Sequence, residues 1–259
     1  MTLVFDKYHG AGNDFIVIDN RRNDYILSSK SIQNLCDRHF GIGADGLIEI
    51  LLADESDFYM RYYNADGKEG TMCGNGGRCA AAFALKNGIS DDHMVFETID
   101  GTHEAKMIQE NSELIIRLSM NDVSEFEHHA GHYFIDTGSP HYVSFKEDPD
   151  QENFVTKAKK IRYAYKPEGT NVNFAKKDNN RILVRTYERG VENETLACGT
   201  GVTAVALAAA KEDSLKKGAY EIHARGGVLK VYFEMSDSGF KNIWLEGPAA
   251  YVFSGQINL

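Results

Sequence analysis

Short apolar runs bounded by turn residues recur along most of the chain. They are rich in β-branched and aromatic side chains and are only five or six residues long, which is typical of strands. The pattern predicts strands at several positions, among them Asp14–Asp19, Asp57–Tyr62, Leu114–Leu118, His132–Asp136, Arg181–Arg185 and Leu229–Phe233. We therefore expect a protein in which β-structure predominates.

Helical spacing of apolar residues appears in fewer places. It predicts one helix near Ser31–His39 and another over about Glu152–Ile161. Two further segments, after Cys73 and after Cys198, carry alanine or another small residue at almost every position. A surface helix would show a polar face, so we expect these two helices to be buried.

The two alanine-rich segments belong to an internal repeat. Residues 72–86 read MCGNGGRCAAAFALK and residues 197–211 read ACGTGVTAVALAAAK, an offset of 125 (198 − 73). The register continues downstream, where residues 95–101 fall on residues 220–226. Each copy reads strand, polar loop, Cys-Gly-x-Gly, alanine-rich helix and long hairpin. Such self-similarity indicates a duplicated structural unit.

The duplication predicts an α+β fold of two pseudo-symmetric, β-rich half-domains. Each half is expected to be a barrel-like sheet wrapped around its buried alanine-rich helix, with the active site in the cleft between them. We place the N-terminal half at residues 1–120 and the C-terminal half at residues 121–249, where a polar stretch follows a strand. The last residues, about 250–259, are allowed to return to the first half.

Composition narrows the class of protein. The 259 residues are 42% hydrophobic and 25% charged with 4 prolines, as in a globular protein. The formal charge of −10 and the lack of a basic cluster argue against nucleic-acid binding. Asp6 interrupts any signal-peptide-like run, and the most apolar stretch, Val202–Ala210, is too short to span a bilayer. With no CxxC motif among four cysteines, we expect free thiols, a cytoplasmic location and no membrane partner.

The cysteines fall into two kinds. Cys36 and Cys79 stand at helical positions that suit small buried hydrophobes. Cys73 and Cys198 stand where a polar loop enters a helix, and the positive end of a helix dipole lowers the pKa of a thiol. The glycines that follow let backbone N–H groups approach an anion closely. The repeat therefore predicts two thiols, each beside a carboxylate cradle.

Two such helix starts facing each other would place one sulfur on each side of the α-carbon of a bound carboxylate. One sulfur would take a proton from one face and the other would deliver a proton to the opposite face, which inverts the centre. The sequence holds no P-loop or HExxH motif. The charge that develops on the carboxylate would then be stabilised by the helix dipoles in a site sealed from water.

At these residues the chain resembles the diaminopimelate epimerase family, the pyridoxal-independent isomerases of lysine and peptidoglycan biosynthesis. The resemblance covers nearly the whole length. The ordered motifs are Lys7–Phe15, Arg38–Gly46, Tyr63–Gly67, Met72–Gly76, Gly138–His141, Gly169–Val172, Tyr187–Gly190 and Ala197–Gly201. Many members have Asn where this chain has Ser139, and some have Gln where it has Gly46.

The resemblance implies a role for each matched residue. Cys73 and Cys198 are implied to be the catalytic thiolate and thiol, and His141 and Glu188 to assist proton transfer. The implied substrate-binding residues are Asn13, Asn64, Gly74, Asn75, Asn171, Glu188, Arg189, Gly199 and Thr200. The resemblance also implies that the substrate is diaminopimelate, that no cofactor or metal is used, and that the protein is a homodimer.

Three alternatives remain open at this point. A proline or hydroxyproline racemase shares the two-cysteine chemistry, although a cyclic imino acid has no distal zwitterion for Asn64, Asn171 and the Glu188-Arg189 pair to bind. A thiol redox sensor could join Cys73 and Cys198 in a reversible disulfide. A non-catalytic protein could use the glycine loops to bind an anion.

Overall fold

The computed structural model describes residues 2–110, 113–129, 131–165, 167–178 and 181–259. Its four helices are α1 Ser29–Cys36, α2 Gly74–Lys86, α3 Phe154–Ala164 and α4 Gly199–Glu212. Its strands are β1 Thr2–Gly10, β2 Asn13–Asp19, β3 Gly46–Leu51, β4 Phe58–Asn64, β5 Glu69–Gly70, β6 His93–Thr98, β7 Gly101–Glu110, β8 Glu113–Ser119, β9 Phe126–His129, β10 His132–Asp136, β11 Pro140–Ser144, β12 Asn171–Asp178, β13 Arg181–Glu188, β14 Asn193–Thr195, β15 Lys217–Ala224, β16 Gly227–Ser236, β17 Gly239–Pro248 and β18 Ala250–Asn258.

The chain forms two compact units. The first comprises Met1–Leu118 together with Gly247–Leu259, and the second comprises Ser119–Glu246. In the first unit β1 pairs antiparallel with both β18 and β2, and β2 pairs parallel with β3 across α1. β3 continues antiparallel to β4, which pairs with the short β5 and runs parallel to β6. β6, β7 and β8 complete an antiparallel meander.

The second unit repeats these pairings in the same order. β10 pairs antiparallel with β9 and β11, and β11 pairs parallel with β12 across α3. β12 is antiparallel to β13, which pairs with the short β14 and runs parallel to β15. β15, β16 and β17 close the series as an antiparallel meander. The predicted α+β class and its duplication are therefore confirmed, strand pair by strand pair.

The alanine-rich helices form the centre of each unit. From Gly74 to Ala84 every residue of α2 is buried, and α2 contacts strands β1–β4, β7 and β18. α4 is buried from Gly201 to Ala210 and contacts β10–β13, β15 and β16. Small side chains allow strands to approach the helix axis on all sides, which explains why neither helix has a polar face. Among the described residues, no helix is long and apolar enough to cross a membrane.

The two remaining helices differ from their predicted bounds. α1 begins at Ser29 because the Ser28 side chain accepts a hydrogen bond from the Ser31 N–H, as an N-cap does. It ends at Cys36 rather than His39, because the Asp37 carboxylate accepts the next backbone N–H groups and turns the chain. The sequence also placed α3 too early, since Phe154–Ala164 follows an Asn153 N-cap.

Candidate active site

Cys73 is the N-cap residue of α2, and its sulfur does not cap the helix. Its backbone is extended, and its carbonyl accepts the first helical hydrogen bond from the Gly77 N–H at 2.7 Å. The N–H groups of the first turn therefore point out of the helix end, as in every α-helix. Gly76 has no side chain, and a Cβ there would come within 3.6 Å of the Cys73 Cβ. The first turn of α2 therefore packs directly beside the cysteine.

A chain of amide hydrogen bonds connects the Cys73 sulfur to the interior of the first unit. The Cys73 thiol donates to Asn13 Oδ1 at 3.7 Å, and the Asn75 amide donates to the same oxygen at 3.2 Å. Asn13 in turn donates its Nδ2 to the Asp45 carboxylate at 2.7 Å. The Arg78 guanidinium donates to Asn75 Oδ1 at 2.8 Å and so fixes the orientation of that amide.

Arg78 places a fully buried positive charge one helical turn from the start of α2. Its guanidinium donates to the carbonyl of Gly74 at 3.1 Å and to that of Pro248 at 3.4 Å. Burial lowers the pKa of Arg78 to about 10, so the side chain is still charged at neutral pH. This charge adds to the positive end of the α2 dipole and favours an anion at the helix start.

Cys198 occupies the matching position of the second unit. It is the N-cap residue of α4, its sulfur does not cap the helix, and its carbonyl accepts the Val202 N–H at 2.8 Å. The Cys198 sulfur and Thr200 Oγ1 are 3.4 Å apart. Cys198 is almost completely buried, whereas Cys73 is half-buried.

The side chains in the hydrogen-bonded network around Thr200 come from three strands and the loop before β11. His141 Nε2 lies 2.9 Å from Thr200 Oγ1 and 3.1 Å from Ser139 Oγ, and these two hydroxyl oxygens are 3.2 Å apart. Asn173 Nδ2 lies 3.0 Å from His141 Nδ1 and donates to the Tyr142 carbonyl at 3.0 Å. The Asn173 oxygen accepts from Thr186 Oγ1 at 2.9 Å.

His141 is neutral in this environment. Its side chain is fully buried, and burial together with the nearby positive charge of Arg189 lowers its pKa to about 3. A neutral imidazole has one N–H donor and one acceptor nitrogen, so the ring takes one defined tautomer. Burial also keeps the two core thiols uncharged, because it raises the pKa of Cys36 to about 11 and also raises the pKa of Cys79. Both of these cysteines are thus protonated at neutral pH.

The Asn171 side chain is hydrogen-bonded to the backbone of Arg189. The Arg189 N–H donates to Asn171 Oδ1 at 2.8 Å, and Asn171 Nδ2 donates to Ser139 Oγ and to the Pro140 carbonyl, both at 3.1 Å. The Arg189 guanidinium is partly exposed and lies 3.3 Å from the Glu168 carboxylate. Asn171 therefore positions the loop around Ser139 and the end of β13.

Two other predicted site residues lie at strand ends. Glu188, the last residue of β13, accepts a hydrogen bond from Thr195 Oγ1 on β14. Asn64, the last residue of β4, accepts from the Tyr62 hydroxyl at 3.0 Å and is exposed. The residues placed next to a sulfur are Asn13, which accepts from the Cys73 thiol, and Thr200, whose Oγ1 lies 3.4 Å from the Cys198 sulfur.

Several residues of these two networks were not predicted from the sequence. Arg78 lies four residues after Gly74, so helical spacing alone could have placed it one turn beyond Gly74 on the same face of α2. Asn173 lies two residues after Asn171 and so faces the same side of β12. The sequence predicts no role for Ser139, which differs from the Asn of many family members, and no local pattern indicates a role for Thr186.

Known proteins resemble this chain along nearly its whole length. A family model described as diaminopimelate epimerase matches residues 5–125 and 133–252. The chain belongs to the diaminopimelate epimerase family. A diaminopimelate epimerase from Flavobacterium psychrophilum is 46% identical over 255 residues, which cover 97% of this chain and 98% of that protein. One from Chlorobaculum tepidum is 44% identical over 262 residues, covering 96% and 99%.

Solved structures share the fold of this diaminopimelate epimerase family member at low sequence identity. A hydroxyproline epimerase from Agrobacterium vitis, with bound trans-4-hydroxy-L-proline, superposes with a TM-score of 0.75 at 14% identity over 100% of this chain and 93% of that one. A phenazine biosynthesis protein of the PhzF family from Bacillus anthracis gives 0.74 at 17% identity over the full length of both chains. Family membership confirms the predicted enzyme class, an isomerase, over the sensor and binder alternatives.

Proposed function

We propose that this protein interconverts L,L- and meso-diaminopimelate by proton transfer at an α-carbon, with Cys73 and Cys198 as the two acid–base groups. One observation carries the proposal: each of two equivalent buried helices begins directly after a cysteine whose sulfur is not used to cap it. The substrate is proposed from the relatives, since the proteins that are 46% and 44% identical to this chain are both diaminopimelate epimerases.

The proposed step moves two protons. A thiolate removes the α-hydrogen from one face and becomes a thiol, while the thiol on the opposite face gives its hydrogen to the carbon and becomes a thiolate. The reverse turnover starts from this exchanged state. Because an α-hydrogen is only weakly acidic, the negative charge that spreads onto the carboxylate needs preorganised donors. We assign this task to the backbone N–H groups of Gly74, Asn75, Gly199 and Thr200, supported by the buried charge of Arg78.

The remaining residues are proposed to bind and orient the substrate. Asn13 accepts from the Cys73 thiol. The exposed amide of Asn64 and the partly exposed guanidinium of Arg189 suit the distal amino-acid end. Asn171 would position Arg189, because the Asn171 Oδ1 accepts a hydrogen bond from the Arg189 backbone N–H. Glu188 would accept from an ammonium group or assist proton transfer. His141 would assist through Thr200, because a ring with a pKa of about 3 holds no extra proton at neutral pH.

The experiment is an epimerisation assay with no added cofactor. L,L-diaminopimelate and L-proline are supplied separately, and the products are resolved by chiral chromatography. We expect meso-diaminopimelate to form and proline to remain unchanged. Cys73→Ala and Cys198→Ala should each lower kcat by at least about 10³-fold, because each removes one of the two proton-transfer groups. Cys79→Ala is the control, since Cys79 is buried within α2. Racemised proline, or near-normal turnover in either active-cysteine variant, would reject the proposal.

We also propose that the protein is a cytoplasmic homodimer, as the family resemblance implies. Four free cysteines suit a reducing compartment. Support for the dimer comes from exposed apolar side chains on β1 and β18, where Val4, Tyr251, Val252 and Phe253 are 45–56% exposed. Exposed apolar side chains on paired strands suit a surface that another protein covers.

Sedimentation equilibrium tests the dimer. The wild-type chain should give about twice the 28.9 kDa of one chain. Val252→Lys should shift the equilibrium towards the monomer, since a buried lysine at an apolar interface lacks a partner. Ile26→Lys is the matched control, because Ile26 is 88% exposed and lies outside both strands. A monomeric wild-type protein, or a Val252→Lys variant that still forms the dimer with equal affinity, would contradict the assignment.

A further inference from the structure

We infer that the Thr200 hydroxyl donates its hydrogen to the Cys198 sulfur, and that His141 and Ser139 hold it in that orientation. Thr200 is then a positioning residue for Cys198 through its side chain, in addition to the backbone role proposed above. The orientation of the hydrogen bond follows from the described residues alone. Its significance for catalysis rests on the proposed function of Cys198.

The argument begins at Asn173, whose amide orientation is fixed. The Tyr142 carbonyl can only accept, so the Asn173 atom 3.0 Å from it is the NH₂ nitrogen. The same nitrogen lies 3.0 Å from His141 Nδ1, which must therefore accept. Because the buried ring is neutral, its single hydrogen is on Nε2. His141 is thus a donor towards the two hydroxyl groups that face Nε2.

Ser139 is oriented in the same way from the other side. The Arg189 N–H can only donate, so it fixes Oδ1 of Asn171, and the acceptor Pro140 carbonyl fixes Nδ2. Asn171 Nδ2 then donates to Ser139 Oγ at 3.1 Å. Since His141 Nε2 carries a hydrogen and cannot accept, the Ser139 hydroxyl hydrogen is directed to Thr200 Oγ1 at 3.2 Å.

Two donors consequently converge on one oxygen. Thr200 Oγ1 accepts from His141 Nε2 at 2.9 Å and from Ser139 Oγ at 3.2 Å, and a hydroxyl oxygen has two acceptor lone pairs. Its own hydrogen is left for the remaining neighbour, the Cys198 sulfur at 3.4 Å. A hydrogen bond donated to sulfur stabilises the thiolate over the thiol. The Cys73 sulfur meets the opposite polarity at Asn13, whose Oδ1 accepts from the thiol.

Alkylation of Cys198 tests the orientation without any substrate. The protein carries Cys73→Ser throughout, so that Cys198 is followed as the reactive thiol by mass spectrometry of its peptide. The rate of iodoacetamide reaction is measured against pH and scaled to its high-pH plateau, which separates ionisation from access. Thr200→Val should move the midpoint upwards and lower the scaled rate at pH 7 by about tenfold, the effect of one lost hydrogen bond to a charged group. Thr200→Ser should retain the parental midpoint.

A matched control and a direct measurement complete the test. Thr203→Val removes another buried hydroxyl of α4, the one that donates to the Gly199 carbonyl, and should leave the midpoint unchanged. Should Thr200→Val fail to fold, ¹⁵N chemical shifts of His141 in the parent protein decide the matter. Protonated Nε2 and unprotonated Nδ1 are expected. An unchanged midpoint in folded Thr200→Val, or a hydrogen on Nδ1, would overturn the inference.

These outcomes are separable from those of the proposed function. If the wild-type protein does not epimerise diaminopimelate but the midpoint shifts in Thr200→Val, the function fails and the orientation stands. If epimerisation depends on both cysteines but the midpoint is unchanged, the function stands and the hydroxyl is oriented elsewhere.

Discussion

His141 shows how far a single residue can depart from its ordinary chemistry. The local sequence Gly-Ser-Pro-His resembles a surface loop, yet the side chain is fully buried between Asn173 and Thr200. Burial and the positive charge of Arg189 lower its pKa to about 3. The positions of Cys73 and Cys198 at two helix starts could be predicted because the two cysteines recur in register. The neutral state of His141 could not, because it depends on burial by strands distant in sequence.

The lowered pKa of His141 predicts an acid-dependent loss of stability. The unfolded chain binds a proton at this ring below its ordinary pKa of 6.5, but the folded protein does so only near 3, so the free energy of unfolding falls as pH drops through that window. From pH 6.5 to 5 the loss is about 2 kcal/mol. His141→Gln should be less stable at pH 7 yet lose about 2 kcal/mol less between pH 7 and 5. Urea unfolding at both pH values measures this, and equal losses in the two proteins would contradict a neutral buried ring.

At the scale of the element, the two helix starts are equivalent in backbone but differ in their surroundings. Gly76 and Gly201 occupy the same place in the repeat, each three residues after its N-cap cysteine. A Cβ on Gly201 would come within 2.6 Å of Asn173 Oδ1 and 3.2 Å of His141 Cε1. For a Cβ on Gly76 the two nearest atoms would be the flexible ends of Ile48 and Met60, at 3.3 and 3.4 Å.

This difference gives a matched pair of substitutions. Gly201→Ala should destabilise the protein by about 2 kcal/mol, since Asn173 is held by its own hydrogen bonds and cannot move freely. Gly76→Ala should change stability by less than about 1 kcal/mol, because helix propensity offsets a contact that side-chain ends can relieve. Chemical denaturation of both variants compares them. A larger loss in Gly76→Ala would show that the hydrogen-bonded network around His141 yields more easily than the contacts around Gly76.

The bounds of the elements were predictable to different extents. Apolar spacing located α1 through Ile32, Leu35 and Cys36, all of which are buried. The ends of α1 were misplaced, because Ser28 and Asp37 set them by side-chain hydrogen bonds that periodicity does not report. The repeat located α2 and α4 well, since a Cys-Gly-x-Gly start and an alanine-rich run coincide in both copies.

At the scale of the whole molecule, duplication was readable because the repeat preserves spacing as well as residue type. Strand partners were not readable in the same way. The parallel pairs β2–β3 and β11–β12 each span a helix, and the parallel pairs β4–β6 and β13–β15 each enclose an alanine-rich helix. Such crossovers depend on long-range packing, whereas alternation of apolar residues reports only that a strand exists.

The most direct test of the account follows deuterium during turnover. L,L-diaminopimelate is incubated with wild-type protein in heavy water, and α-deuterium in recovered substrate and in product is measured by mass spectrometry at low conversion. Two thiols that exchange with solvent, each acting on its own face of the carbon, predict deuterium in the meso product while recovered L,L substrate remains largely unlabelled. Deuterium appearing equally in both, as one base serving both faces would give, would contradict the two-thiol account.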